Sequence, residues 1–387
     1  MLGSLPPLRA LSAYCAALTG ALARQGPVTF ISFRKIYPAY LYPGGGLQED
    51  RSFPPLECPG LRIHRRLTWY NPATWLREGF LTRSALLHAQ WWSLPLLPVY
   101  LAVCAGFKAR GKPVVFTVHN VHSHDGSPFF VAASRQLFRL GDHFIVHSQQ
   151  NRAQMTRVYG IDPARVSRIP HGPLGFRVRG GGDGQAVREL FGFGPRDQVV
   201  LIFGAIRPYK GVDTALEAFW KLLETHPGTR LLIAGMPWEP WERYARIIRE
   251  LGIGDRVTTH LRFIPAEEVH RFFLAADLVV LPYRRFESQS GVGAAALSFG
   301  KPLIVTRVGG LPELVRDPRF VVPPDDPASL ARAMSLALGT PGVLREMRAA
   351  GKDIASEMNW SAIARQTWMV YDRVLAREAE PGARVRI

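Results

Sequence analysis

Cysteine is nearly missing from this chain. Cys15, Cys58 and Cys104 are too few and too scattered for a disulfide framework or a cysteine-based zinc site, which points to a reducing compartment and to buried or inert thiols. A membrane-spanning run is lacking too. The longest apolar stretch, Trp91 to Phe107, is interrupted by Ser93, Pro95 and Pro98 and falls short of the roughly 20 residues a spanning helix needs, so it reads as a buried helix. Residues Met1 to Pro7 show neither the charged start nor the long apolar core of a secretory signal, and a cytoplasmic location is expected. No short tandem repeat appears, which excludes a solenoid. Acidic residues are outnumbered 31 to 48 by bases, a net charge of +17, and 41 of those bases are arginine.

What is present is an ordinary globular composition: 387 residues, 47% hydrophobic and 20% charged, enough for two domains of about 150 to 200 residues each. The charge is uneven. Residues 1–174 hold 19 bases and 7 acids, so the first half is expected to face something anionic: a phosphorylated substrate or an anionic membrane surface. Nucleic acid is not expected, because no zinc-finger, helix-turn-helix or RNA-binding signature accompanies the charge. An arginine-rich genome would produce the same excess.

Short β-branched runs alternate with helical patterns, the rhythm of parallel sheets covered by helices. Strands are predicted at 27–33, 61–64, 86–90, 113–119, 143–147 and 166–170, and again at 198–206, 230–236, 257–263, 278–283, 302–308 and 319–322. The fold class is therefore α/β, with two Rossmann-like doubly wound domains. The expected division is 1–174, a glycine-rich linker at 175–197, 198–360, and a C-terminal helix and tail at 361–387. The first strand is either short or entered part-way, since only Met1 to Leu5 precede Pro6-Pro7.

Ligands of open α/β sheets bind beyond the carboxyl ends of strands, and the candidate residues cluster there. Gly204, Arg207, Lys210 and Gly211 end one strand and open a helix. Glycine lets backbone approach an anion, while cations and a helix N-terminus favour a diphosphate; the spacing is not that of a Walker A loop. A second strand end runs through Glu287 to Ser290, Gly291 and Val292, where exposed amides at a helix start stand beside one carboxylate able to accept sugar hydroxyls. The alternatives are a basic turn with a C-cap glycine at the first place and a plain N-cap serine with a solvated Glu287 at the second. His119, His122, His124 and Asp125 leave a strand together, although their spacing matches no metal motif. His88, His147 and His171 lie in or beyond other strands, as packing residues or cleft contacts. The segment Arg62 to Arg77 mixes cations with Trp69, Tyr70 and Trp75, a composition that suits a membrane interface, a lipid-phosphate acceptor or the basic flank of a core strand.

Together these residues resemble the retaining nucleotide-sugar glycosyltransferases of family four, which have two facing Rossmann-like domains, the GT-B architecture. The resemblance runs over nearly the whole chain. Its strongest marks are Ile206 to Gly211 and the stretch from Glu287 to Pro302. That family carries two glutamates eight positions apart: Glu287 matches the first, which contacts donor-sugar hydroxyls, and Ala295 stands at the second, which contacts the ribose. The family's arginine after the phosphate-loop glycine is replaced by Ala205, and its role is carried to Arg207. His119 matches the cleft histidine near the transferred sugar, and the turn Pro6 to Ser12 matches the first loop, with Ala10 where glycine is common.

The resemblance implies hexose transfer with retention from a nucleoside diphosphate sugar, without an essential metal or other cofactor. Arg207, Lys210 and the amides of Ser290, Gly291 and Val292 would hold the departing diphosphate. The acceptor would be a glycan, possible also as a lipid-linked glycan at the inner membrane face. An epimerase or phosphorylase on the same plan, or a non-catalytic sugar-phosphate binding module, are the alternatives.

Overall fold

A computed structural model describes residues 1–8, 11–38, 56–121, 128–173, 184–286 and 289–379. The chain divides into two compact units, Met1–Gly172 with Asn359–Ile387, and Pro173–Met358. The last helix therefore belongs with the first half of the sequence. It is not a separate tail at 361–387. Part of the stretch read as linker, Gly184–Leu190, is helical and falls in the second unit, whereas 174–183 and 380–387 lie outside the described residues.

In the first unit, helix α1 (Ser12–Ala23) leads to β1 (Val28–Lys35) and β2 (Leu61–Thr68), then α2 (Pro72–Leu81), β3 (Leu87–Trp91), α3 (Leu97–Ala109) and β4 (Val114–Val118). These are followed by α4 (Pro128–Phe138), β5 (His143–Val146), α5 (Gln149–Tyr159) and β6 (Val166–Arg168). All the ladders are parallel. Leu2 bridges Ile31 of β1 and Ala89 of β3, so residues 1–3 fill a short central lane between them. The order is thus β2, β1, the Leu2 lane, β3, β4, β5, β6. Strands β3 and β4 are buried throughout; β4 is apolar but for Thr117, as a strand covered on both faces usually is, whereas β3 also buries His88 and Gln90.

The second unit runs α6 (Gly184–Leu190), β7 (Gln198–Phe203), α7 (Val212–Leu223), β8 (Thr229–Ala234), α8 (Glu242–Glu250), β9 (Val257–His260) and α9 (Ala266–Ala275). It continues with β10 (Leu278–Leu281), α10 (Gly291–Ser298), β11 (Leu303–Thr306), β12 (Val321–Val322), α11 (Pro327–Gly339) and α12 (Val343–Glu357). Its sheet has the order β12-β11-β10-β7-β8-β9. Strand order reverses at β7, the arrangement that opens a crevice beyond the carboxyl ends of β7 and β10.

Helix α13 (Trp360–Ala379) returns to the first unit because its apolar stripe has a partner there. Ile363, Ala364, Val370, Tyr371 and Val374 are buried with Tyr14, Leu18 and Leu22 of α1. Cys15 and Cys104 are buried, and Cys58 is half-buried; all three are free thiols. Among the described residues no helix is long and apolar enough to cross a membrane; the apolar run at 91–107 ends β3 and forms most of α3.

Helices α2 and α3 meet through glycine. A β-carbon on Gly106 would stand 2.7 Å from the Gly79 carbonyl carbon, so the two backbones touch without side chains between them. Gly106→Ala should therefore lower stability. Forced separation costs about 1–3 kcal/mol, against about 1 kcal/mol gained in helix propensity. Gly228→Ala, where a β-carbon meets nothing within 4 Å, should stay within about 0.5 kcal/mol of the parent. Urea unfolding of both variants measures the contrast, and equal midpoints would contradict the packing argument.

Candidate functional site

Strand β7 delivers Gly204 to the switch point. Its amide donates to the Ala234 carbonyl at 2.8 Å, and its φ of +100° is one that side chains avoid. A β-carbon there would lie 3.0 Å from the Lys210 ammonium and 3.2 Å from the Val292 side chain. The missing side chain thus lets a cation and the first turn of α10 close over bare backbone. Ile206 fixes the loop by accepting from the Trp238 amide and donating to the Met236 carbonyl, both at 2.9 Å. Pro208–Lys210 form one 3-10 turn, and Gly211, at φ +64°, opens α7. A β-carbon on Gly211 would meet the Pro282 carbonyl at 2.1 Å, which fixes this turn against the exit of β10.

The loop's cations are held in different ways. Arg207 sits over Trp238, its guanidinium carbon 3.5 Å from the ring centroid, a contact that stabilises by about 0.5–2 kcal/mol, and it also hydrogen-bonds the Tyr209 side chain. Lys210 is buried, with Nζ 5.3 Å from the Tyr283 ring centroid. Burial, assisted by the charge of Arg207, pulls its ammonium down to about 7. No carboxylate among the described residues neutralises it. Arg284, by contrast, pairs with Asp213 at 2.9 Å and with Asp325.

Opposite the loop, Ser290 caps α10 by accepting from the Gly293 amide at 3.2 Å. The amides of Gly291 and Val292 have no carbonyl within the helix to bond. The structure thus brings Gly204, Lys210, Val292, Gly291 and Ser290 together, with Arg207 on the same loop. Ala295 lies one turn deeper, fully buried in the apolar core. Glu287 lies outside the described residues.

In the first unit, sequence reading treated the histidines singly, but the fold gathers four of them. His119, His147 and His171 each follow one of three adjacent parallel strands, β4, β5 and β6. Around Tyr14 their ring centroids lie 4.7, 5.5 and 4.8 Å away. His147 Nδ1 donates to the Ile169 carbonyl at 3.0 Å, and its Nε2 lies 3.2 Å from His119 Nδ1, so one hydrogen bond links the two rings. The other nitrogen of His119 faces the Gln90 side-chain amide at 3.0 Å. His88 adds bonds to the Tyr371 hydroxyl at 2.6 Å and to Thr117 at 2.7 Å.

Burial lowers all four imidazoles, with neighbouring histidines adding to the effect at His119. His88 and His147 fall to about 3 and His171 to about 4. At neutral pH the cluster is uncharged, and His119 offers hydrogen bonding and no proton. The signal that could have revealed it was present: histidine just beyond three consecutive strands. Among the described residues no group of three histidine, cysteine or carboxylate side chains is placed to hold a metal ion; His122, His124 and Asp125 lie outside the described residues.

The aromatic set expected at a membrane interface is reduced to Tyr70, which is 65% exposed. Trp69 and Trp75 are half-buried against the core, and their indole N–H groups donate at 2.7 Å to the carbonyls of Pro95 and Thr68.

Two parallel doubly wound units with ligand-ready loops at the switch point of the second define a glycosyltransferase of the GT-B class. Sequence descriptions agree: Glycosyltransferase Family 4 matches residues 11–172, and Glycosyl transferases group 1 matches 185–354. The chain is 30% identical over 312 residues to D-inositol 3-phosphate glycosyltransferase 2 of Catenulispora acidiphila, covering 74% of this chain and 70% of that protein. It is 31% identical over 303 residues to the D-inositol 3-phosphate glycosyltransferase of Segniliparus rotundus, covering 73% of this chain and 64% of that one. Of the corresponding Mycobacterium marinum protein it spans half the length.

Among solved structures, Anabaena HepE in complex with UDP superposes with a TM-score of 0.73 at 16% identity, over 96% of this chain and 98% of that one. Sucrose-phosphate synthase of Thermosynechococcus elongatus gives 0.67 at 20% identity, over 97% and 98%. The chain belongs to family 4 of the glycosyltransferases.

Because Lys210 binds its proton more weakly in the fold than in the unfolded chain, its contribution to stability rises with pH between about 7 and 10.5 and is least favourable below 7. Lys210→Met, which removes the buried charge and keeps the volume, should stabilise the protein by roughly 1–4 kcal/mol at pH 6 and by less than about 1 kcal/mol at pH 10. Denaturant titrations at the two pH values test this; a difference independent of pH would refute the desolvation argument.

Proposed function

We propose that this chain transfers a hexose from a nucleoside diphosphate sugar to an acceptor hydroxyl with retention at the anomeric carbon. The observation that carries the reading is the buried ammonium of Lys210, which no carboxylate among the described residues neutralises, over the bare backbone of Gly204 and beside the α10 amides that have no partner within the helix. Such a site is costly when empty and matched to a diphosphate when full. Support comes also from HepE, whose structures hold UDP and UDP-glucose.

In this scheme the bond from the anomeric carbon to the diphosphate oxygen breaks, and the acceptor oxygen bonds to the same face of that carbon. The acceptor's proton passes to the departing diphosphate, so no protein base is assigned. Arg207, Lys210 and the amides of Ser290, Gly291 and Val292 take up the charge that grows on the leaving group. A bound diphosphate favours the charged form of Lys210 and returns it to the ammonium. Glu287 accepts from hydroxyls of the transferred sugar. The scheme uses no metal or other cofactor, because cations and backbone dipoles perform the neutralisation.

An anionic acceptor fits both the relatives named for D-inositol 3-phosphate and the basic first half of the chain. A lipid-linked glycan at the cytoplasmic membrane face is favoured by the exposed Tyr70, Leu76, Phe80 and Leu81.

Slow nucleoside diphosphate release from a panel of nucleotide sugars is the direct test, and no release from any donor would leave the binding-module alternative. With an active donor, Lys210→Ala should lose about 2–4 kcal/mol of transition-state stabilisation, a 30- to 1000-fold fall in kcat/KM. Glu287→Gln should impair transfer far more than nucleoside diphosphate binding. Equal losses in both would move Glu287 away from the sugar.

A further inference from the structure

Three arginines meet the nucleotide loop or the helix it opens, and acids hold two of them. Arg284 pairs with Asp213 and Asp325, and Arg243 pairs with Asp213. A carboxylate that fixes a guanidinium also cancels its charge. Arg207 is fixed by other means: its guanidinium carbon stands 3.5 Å from the centroid of the Trp238 ring, and its side chain bonds that of Tyr209. No carboxylate among the described residues pairs with it. Glu239, next to Trp238 in the chain, accepts from the Tyr244 hydroxyl at 2.7 Å.

The backbone fixes the indole in this place. Strands β7 and β8 leave the sheet side by side: Gly235 follows β8 at φ +148°, and a β-carbon on it would stand 2.1 Å from the Gly204 carbonyl oxygen. Further along, Ile206 bridges Pro237, donates to the Met236 carbonyl and accepts from the Trp238 amide, both at 2.9 Å. Trp238 is thereby tied to the residue just before Arg207. An aromatic face attracts a cation without neutralising it. An arginine ordered in advance has less freedom to lose when an anion arrives.

We propose that Trp238 is a positioning residue: it holds Arg207 in place, still charged, for the diphosphate of the donor, and so sets the preference for a nucleoside diphosphate over a monophosphate. The proposal rests on the diphosphate reading of the loop. A diphosphate carries one more anionic group than a monophosphate, so losing an ordered cation weakens it more.

The test is calorimetry of UDP, GDP and ADP, and of their monophosphates, on the full chain and on Trp238→Phe, Trp238→Leu, Trp238→Glu, Arg207→Ala and Arg207→Ala/Trp238→Leu. For the diphosphate that the parent binds best, Trp238→Leu should lose about fivefold or more in affinity, with a smaller loss for the monophosphate. Trp238→Phe keeps an aromatic face and should stay within about twofold of the parent. Trp238→Glu holds the arginine but cancels its charge, and should lose at least as much as Trp238→Leu. Because the ring acts through Arg207, the double variant should bind no more weakly than Arg207→Ala alone. Nuclear magnetic resonance of the ligand-free protein gives a second readout: the ring current of Trp238 should move the Arg207 Nε proton upfield in the parent, and the shift should vanish in Trp238→Leu. Retained monophosphate binding guards against a folding defect. A parent that binds no diphosphate overturns the reading of the loop and this proposal with it. A parent that binds one, with Trp238→Leu unaffected or with the two single losses multiplying in the double variant, overturns the proposal and leaves the reading of the loop standing.

Discussion

The reversal of strand order at β7 is the constraint from which the second unit's chemistry follows. A parallel sheet sends every strand's carboxyl end to one edge, and connections usually keep to one side of that edge. Because β7 pairs with β8 on one flank and β10 on the other, the loops leaving β7 and β10 diverge and leave backbone uncovered between them. Gly204 and Gly211 are then required, since a side chain at either would strike the other loop or its cation. The helix α10 begins where that gap opens, which gives it amides with no partner inside the helix. Anion affinity here is a product of topology before it is a product of any single side chain.

The two units solve the burial of polar groups in opposite ways. In the first, four histidines and two tyrosines are buried with every ring lowered or raised toward its neutral form, and a chain of hydrogen bonds from Tyr371 through His88 and Gln90 to His119 and His147 satisfies them. A network of this kind holds a fixed geometry and carries no net charge. In the second, Lys210 keeps a titratable charge buried with no carboxylate partner among the described residues. The first arrangement orients hydrogen bonds; the second waits for a negative ligand.

Much of this was legible in the sequence, because strands buried on both faces read as plain β-branched runs. All twelve predicted strand segments are strands, and the loops at 204–211 and 289–292 sit where the spacing put them. The misses share a cause. Assigning α13 to the first unit needs knowledge of which surface its apolar stripe meets, a contact across more than 280 residues between Tyr371 and His88. The histidine cluster is likewise a property of lateral register: His119, His147 and His171 become neighbours only once β4, β5 and β6 are aligned. Trp69 and Trp75 read as surface residues from composition, yet their indoles close gaps over backbone carbonyls. Local pattern sets the elements, while their partners are decided by contacts no window can see.

Among the described residues, the distribution of carboxylates around the nucleotide loop explains why Lys210 has no acidic partner. Asp213 opens α7 three residues beyond it and is buried, well placed in the chain to neutralise the ammonium. It is instead committed to Arg284 and Arg243, and Asp325 completes the set by pairing with Arg284. Those pairs tie the exit of β10 to the start of α7 and so fix the distance across the gap. Had Asp213 turned to Lys210, the lysine would be stabilised as a charge, and an incoming diphosphate would meet a neutral pair; the loops would also lose their brace. Placing the acid on the framework cations and withholding it from Lys210 gives a rigid rim around an unsatisfied charge. That combination makes stability and anion binding draw on separate residues, so the loop can tolerate a buried ammonium without losing the shape that the ligand must find.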